Sequence, residues 1–206
     1  MTSSPSGLSS GHEVLVVDAS VMINLLGTGK PADLLRILSR KILMDEFALK
    51  EVTSDPFSKT SGQKAMQTLL ESALIDQVRL SNSAFGIFLN LTAATPPDDL
   101  GDGEAATIAQ ALDVGAIPVI DERKATRIVL SMEPKRPVLN TIDIFGCSEV
   151  ANALPERELG DLIYYALLHA RMRVPVTCRD WVSAMIGPER VRDCPSLGFV
   201  KGYGGR

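Results

Sequence analysis

The sequence predicts an α/β protein, a three-layer α/β/α sandwich on a parallel sheet, continued by a mostly helical C-terminal extension. Three observations lead there. Val14-Leu15-Val16-Val17 is an unbroken apolar run, and a strand that does not alternate suits a parallel sheet covered on both faces. Ile117-Pro118-Val119-Ile120 repeats the pattern. The segments between and beyond these runs carry helical periodicity, so strands and helices alternate.

The elements follow in order. Met1 to Gly11 is rich in Ser and Gly and reads as a flexible tail. After the first strand, Ser20 is placed to cap a helix, and Pro31-Ala32-Asp33 opens a second one. A short apolar piece after residue 41 leads into a helical Phe47 to Val52. Gln63 to Ile75 is amphipathic, with Met66, Leu69, Leu70, Ala73 and Leu74 on one face. Gln77 to Leu80 is a short strand, and Ala84 to Leu91 a helix stopped by Thr95-Pro96-Pro97. An Ala-rich helix runs from about Glu104 to Val114, and the second buried strand precedes a helix from Glu122 to Leu130. Pro137-Val138-Leu139 reads as a third short strand ending at Asn140-Thr141. Beyond it the chain is mostly helical, most clearly from Glu156 to Met172. The expected organisation is a tail over 1–11, a domain over 12–150 and a helical extension over 151–206.

Composition narrows the function. The 206 residues are 45% hydrophobic and 22% charged, an ordinary globular balance that excludes fibrous and disordered classes. Aromatic residues make up only 5% and the net charge is −4, which argues against a base-stacking platform and a generally basic nucleic-acid binder. No stretch approaches the roughly 18 apolar residues of a membrane span, and the N-terminus lacks the basic start and apolar run of a secretory signal. Three scattered cysteines and two histidines argue against a disulfide framework and a structural zinc site, and predict a reducing, cytoplasmic compartment. Neither a Walker loop nor a GxGxxG after a strand is present.

What remains is a set of acids. Asp18 and Asp121 each follow an apolar strand, where a carboxylate is costly unless it meets water, a cation or donors. Such ends form the ligand-binding edge of a parallel sheet. Glu104 stands four, seven and eight residues before Ile108, Ala111 and Leu112, so it heads a buried helical stripe. Glu51 shares a face with Ala48 and Val52. A single Asp at a strand end ordinarily caps the next helix, and a Glu in a first turn complements the helix dipole. Acids converging on one edge repel one another, and a divalent cation removes that penalty. Carboxylates suit Mg2+ or Mn2+.

With these residues in view, the chain resembles the PIN domain family. Val14 to Ile23 is similar to that family's opening strand and helix. Leu100-Gly101-Asp102-Gly103-Glu104-Ala105 resembles the "GEA" helix of one subgroup, and Asp121-Glu122-Arg123-Lys124-Ala125-Thr126-Arg127 its "DxRxAR" turn. Lys50-Glu51-Val52 falls where a second acid is expected. The family's usual Gly-Thr-x-Gly turn is replaced by Asn140-Thr141-Ile142-Asp143. The resemblance spans residues 13–150 and implies a metal-dependent ribonuclease, often the VapC-like toxin of a toxin–antitoxin pair. It implies Asp18, Glu51, Glu104 and Asp121 as catalytic acids, with Ser20, or Thr141 beside Asn140, orienting a water or a phosphate. Its implied partners are RNA, an antitoxin protein and a second copy of the chain.

On this reading Asp18, Glu104 and Asp121 hold one or two Mg2+ or Mn2+ ions, and Glu51 completes a shell or orients the water. An RNA groove needs cations. Five basic residues against one acid lie between Arg123 and Arg136, which makes Arg123 and Arg127 candidates for substrate binding. Seven basic residues against three acids lie between Arg171 and Arg206; these are expected on solvated helix faces. A dehalogenase-like phosphatase is disfavoured because Ser20 stands where its second acid would be, and a receiver domain because Ala19 breaks its acidic pair. The alternative from another class is a catalytically silent PIN-like regulatory or protein-binding module.

Overall fold

The computed structural model describes residues 6–9 and 11–198. Among these residues four strands make one sheet: β1 (Val14–Val17), β2 (Lys41–Asp45), β3 (Asp76–Val78) and β4 (Ile117–Val119). Their order is β3-β2-β1-β4, parallel throughout. The chain winds outward from β1 through β2 to β3, then crosses to place β4 on the other side of β1. That reversal makes the carboxyl ends of β1 and β4 the natural crevice of the sheet.

Among the described residues twelve α-helices surround it. The first seven are α1 (Ala19–Gly27), α2 (Pro31–Leu38), α3 (Glu46–Glu51), α4 (Gly62–Glu71), α5 (Asn82–Thr92), α6 (Asp102–Asp113) and α7 (Arg123–Met132). The last five are α8 (Thr141–Phe145), α9 (Ser148–Ala153), α10 (Glu156–His169), α11 (Arg179–Ile186) and α12 (Pro188–Val191). Side chains alternate along the strands. Leu15, Val17, Ile42 and Met44 join the larger core with α1, α2 and α10. Val16 and Leu43 face the opposite way, against Ala111 of α6. A further cluster gathers α5, α6 and α7. The sheet with helices packed on both faces makes the three layers that the unalternating strands predict.

Three local expectations are corrected. The segment Pro137-Val138-Leu139 forms no strand; Leu139 alone bridges Val119, with its carbonyl accepting from the Ile120 amide at 2.7 Å. Pro137 has no N–H to extend a ladder. Ser20 does not cap α1. Asp18 does, accepting from the Ser20 amide at 3.1 Å. The tail expected over 1–11 lies partly outside the described residues. Within them, Leu8 is buried in the larger core, and Gly7 donates its amide to Asp143 at 2.6 Å.

The extension shares the main core. Leu162, Ile163, Trp181 and Val182 are buried in the same cluster as β1. Gly160 permits the approach of α10 to α11: a Cβ there would lie 2.4 Å from the Met185 carbonyl oxygen. His169 packs edge-on against the Phe57 ring at 5.2 Å. Cys147, Cys178 and Cys194 are free and buried. Among the described residues no helix is long and apolar enough to cross a membrane.

Candidate functional site

Asp18 leaves β1 where its amide bonds the Val119 carbonyl at 3.1 Å, tying the two strand ends together. Its side chain is buried, 3% exposed. One oxygen, Oδ2, accepts from the Ser20 hydroxyl at 2.6 Å as well as from the Ser20 amide. The other, Oδ1, is buried with no hydrogen-bond partner. An unsatisfied buried carboxylate oxygen is costly, and burial lifts the Asp18 carboxyl above its ordinary range.

Asp121 is the opposite case. Oδ1 accepts from the Thr141 amide at 2.8 Å. Oδ2 accepts from the Thr141 hydroxyl at 2.5 Å and from Asn24 Nδ2 at 2.6 Å. Burial, with the Asp18 charge as a lesser cause, raises its carboxyl against these donors. Asn24, itself buried, reaches across from α1 and also donates to Thr141 Oγ1 at 3.1 Å. The sequence reading missed Asn24. It stands six residues after Asp18, a polar residue within the apolar stretch Met22 to Leu26, and that was the available signal.

Glu104 and Glu51 approach from α6 and α3. Glu104 Oε2 accepts from the Gly101 amide at 3.4 Å. Glu51 Oε1 accepts from the Gly103 amide at 2.9 Å, so both carboxylates meet the amides that open α6, where negative charge is favoured. Burial raises both carboxyls, and the Asp18 charge raises each further. Glu122 raises Asp18 and Glu104 in turn. It follows Asp121 directly, and the sequence reading did not assign it to the site. The four predicted acids and Glu122 thus share one electrostatic neighbourhood at the carboxyl edge.

The remaining candidates divide. Ser20 stays beside Asp18. Thr141 is fully buried, with its amide and hydroxyl both bound to Asp121; it holds that carboxylate, and its expected contact with substrate is corrected. Asn140 caps α8 by accepting from the amides of Ile142 and Asp143, while Asp143 returns the bond to the Asn140 amide. Arg123 and Arg127 border a cavity of about 650 Å3 next to Asp121 and Asn140, and Arg127 is paired with Asp98.

Among the described residues no three His, Cys, Asp or Glu side chains are drawn together closely enough to hold a metal ion as they stand. The fit to a divalent cation therefore rests on donor chemistry: oxygen ligands only, one buried Asp18 oxygen left unpaired, and neighbouring carboxylates that raise one another. These features suit a hard cation.

A family model described as a PIN domain (DUF3368) matches residues 14–133, well over half of the chain. No curated protein and no solved structure matches it. The matched span begins at β1, carries Asp18, Glu51, Glu104 and Asp121, and ends just past α7. With its parallel sheet and helices on both faces, the chain belongs to the PIN domain family.

Proposed function

We propose that this protein is a Mg2+- or Mn2+-dependent endoribonuclease that hydrolyses RNA phosphodiester bonds at the edge formed by β1 and β4. The observation that carries the reading is Asp18 Oδ1, buried and without a hydrogen-bond partner among acids that raise one another's carboxyls. Family membership supports nuclease chemistry in general terms. Asp18, Glu104 and Asp121 would hold the cation, which when bound supplies Lewis acidity toward the phosphate and acidifies the attacking water.

The chain's own groups do the positioning. The Ser20 hydroxyl fixes one Asp18 oxygen and so aims the other. Asn24 and Thr141 clamp Asp121 through three donors, which fixes its rotamer before any ligand arrives. Glu51, anchored on the Gly103 amide, orients the water or completes the acid ring. The same reading proposes a toxin's partners, an antitoxin protein and a second copy of the chain. A small neighbouring gene encoding a DNA-binding antitoxin would support the toxin role.

The test is cleavage of labelled single-stranded RNA with Mn2+, with Mg2+ and with EDTA, beside Asp18→Asn and Asp121→Asn. Metal-dependent cutting lost in both variants is the expected result. No cutting, together with Mn2+ affinity unaltered by either substitution, overturns the reading and leaves a PIN-like binding module.

A further inference from the structure

The cavity beside Asp121 is built from two distant parts of the chain. Arg123 and Arg127 come from α7; Arg173 and Arg179 come from the extension, beyond the residues the family model matches. The expectation that the late basic residues lie on a solvated face holds for Arg173, which is mostly exposed, and is corrected for Arg179, which is half-buried. The segment between α10 and α11 brings them back to α7, where Arg173 pairs with Glu122. Four guanidinium groups and one carboxylate, Asp121, therefore line a single concavity.

Their charges are unequally used. Arg127 is neutralised by Asp98 and Arg173 by Glu122. Arg123 and Arg179 have no acidic partner among the described residues. Arg179 Nε and Ser196 Oγ are both buried without a hydrogen-bond partner, and both residues line the cavity. Buried polar atoms left unpaired in this way carry an uncompensated cost in the wall of the cavity. A tetrahedral oxyanion offers several acceptors and the compensating charge, and a guanidinium matches it with two parallel N–H bonds. About 650 Å3 is of ligand-pocket size, and Val138, Leu139 and Val174 add an apolar wall.

We propose that this cavity is a phosphate subsite in which Arg123, Arg179 and Ser196 grip a phosphate of the RNA strand adjoining the bond presented to the acids, so that the extension supplies two of the three gripping residues. The inference rests on the nuclease reading for its ligand, and its test can fail independently of it.

The experiment measures binding of fluorescently labelled single-stranded RNA to the full chain in EDTA, across a range of salt, for the parent, Arg123→Gln, Arg179→Gln and Arg179→Lys. Each Gln variant should weaken binding about tenfold and flatten the log–log salt dependence by about 0.7. Arg179→Lys should keep the slope and lose part of the affinity. Inorganic phosphate should compete with RNA on the parent and far less on Arg179→Gln. RNA with and without a terminal phosphate separates the two sources: a requirement for the terminal group assigns the subsite to a strand end, and equal binding assigns it to an internal phosphodiester. Arg123 is exposed, so its variant remains informative if Arg179→Gln folds poorly. Parent-like affinity and slope in folded Arg123→Gln and Arg179→Gln overturns the subsite. If cleavage is intact in that case, the nuclease reading stands alone; arginine-dependent binding without metal-dependent cleavage sinks the nuclease reading and keeps the subsite.

Discussion

Asp45 at the end of β2 and Asp18 at the end of β1 begin alike. Each closes a parallel strand, is buried, and caps the next helix by accepting from the amide two residues on, Phe47 at 2.9 Å and Ser20 at 3.1 Å. Each keeps one buried carboxylate oxygen without a partner, and burial raises both carboxyls. Their surroundings differ. Asp45 feels Glu46 and, with opposite effect, Lys50, both on its own helix. Asp18 acts on Glu51, Glu104 and Asp121, which arrive from three other elements. The lesson is that capping geometry and an unpaired oxygen do not make a site; the convergence of other acids does. Asp45 has the local features and lacks the neighbours.

Substitution at the two positions should separate them most sharply. Asp18→Asn should lower metal-dependent RNA cleavage by about 100-fold or more, roughly 2.7 kcal/mol of barrier, whereas Asp45→Asn should cleave like the parent. Equal losses in the two variants would erase the distinction. Asn24→Ala should come next, at about tenfold in kcat with little change in KM, because it removes one of the two donors to Asp121 Oδ2 without touching substrate. It should also cost about 1–2 kcal/mol of stability by leaving a buried network one donor short. An unchanged kcat would show that the clamp on Asp121 is structural only.

Gly103→Ala should produce a smaller, selective effect. A Cβ there would lie 2.5 Å from Glu51 Oε2, the free end of a flexible side chain. The protein should fold to within about 1 kcal/mol of the parent while Glu51 is displaced and cleavage falls severalfold. Parent-like cleavage would remove Glu51 from the site.

The smallest effect concerns Asp45 and pH. Its carboxyl is raised above the ordinary 3.8, so the folded state disfavours the charged form. That disadvantage is absent below 3.8 and fully present once the pH exceeds the raised value. Asp45→Asn removes it. The Tm difference, variant minus parent, should therefore move in the variant's favour as pH rises from about 4 to 7, by a few degrees at most. Thermal melts at the two pH values check this, and a difference moving the other way would show that burial does not govern Asp45.

Local patterning is enough to read the layered plan and to nominate the acids. Unalternating runs at β1 and β4 report burial on both faces, and Asp18, Glu104 and Asp121 stand out because each interrupts an apolar pattern that is local in the chain. Other features were not legible. Asn24 reads as one polar residue in a helix until Asp121, 97 positions away, is seen beside it. Leu139 has strand composition, yet one bridge is all that forms after Pro137. Arg179 reads as a solvated cation until the return of the chain after α10 sets it in the wall of the cavity beside α7. Periodicity records whether a residue is buried, because burial repeats with the local turn of the backbone. Which buried or charged groups meet depends on strand order and on helices packing from distant parts of the chain. Asp18 meets acids from other elements and Asp45 meets only its own helix, a difference made by packing across the chain and invisible in either strand end.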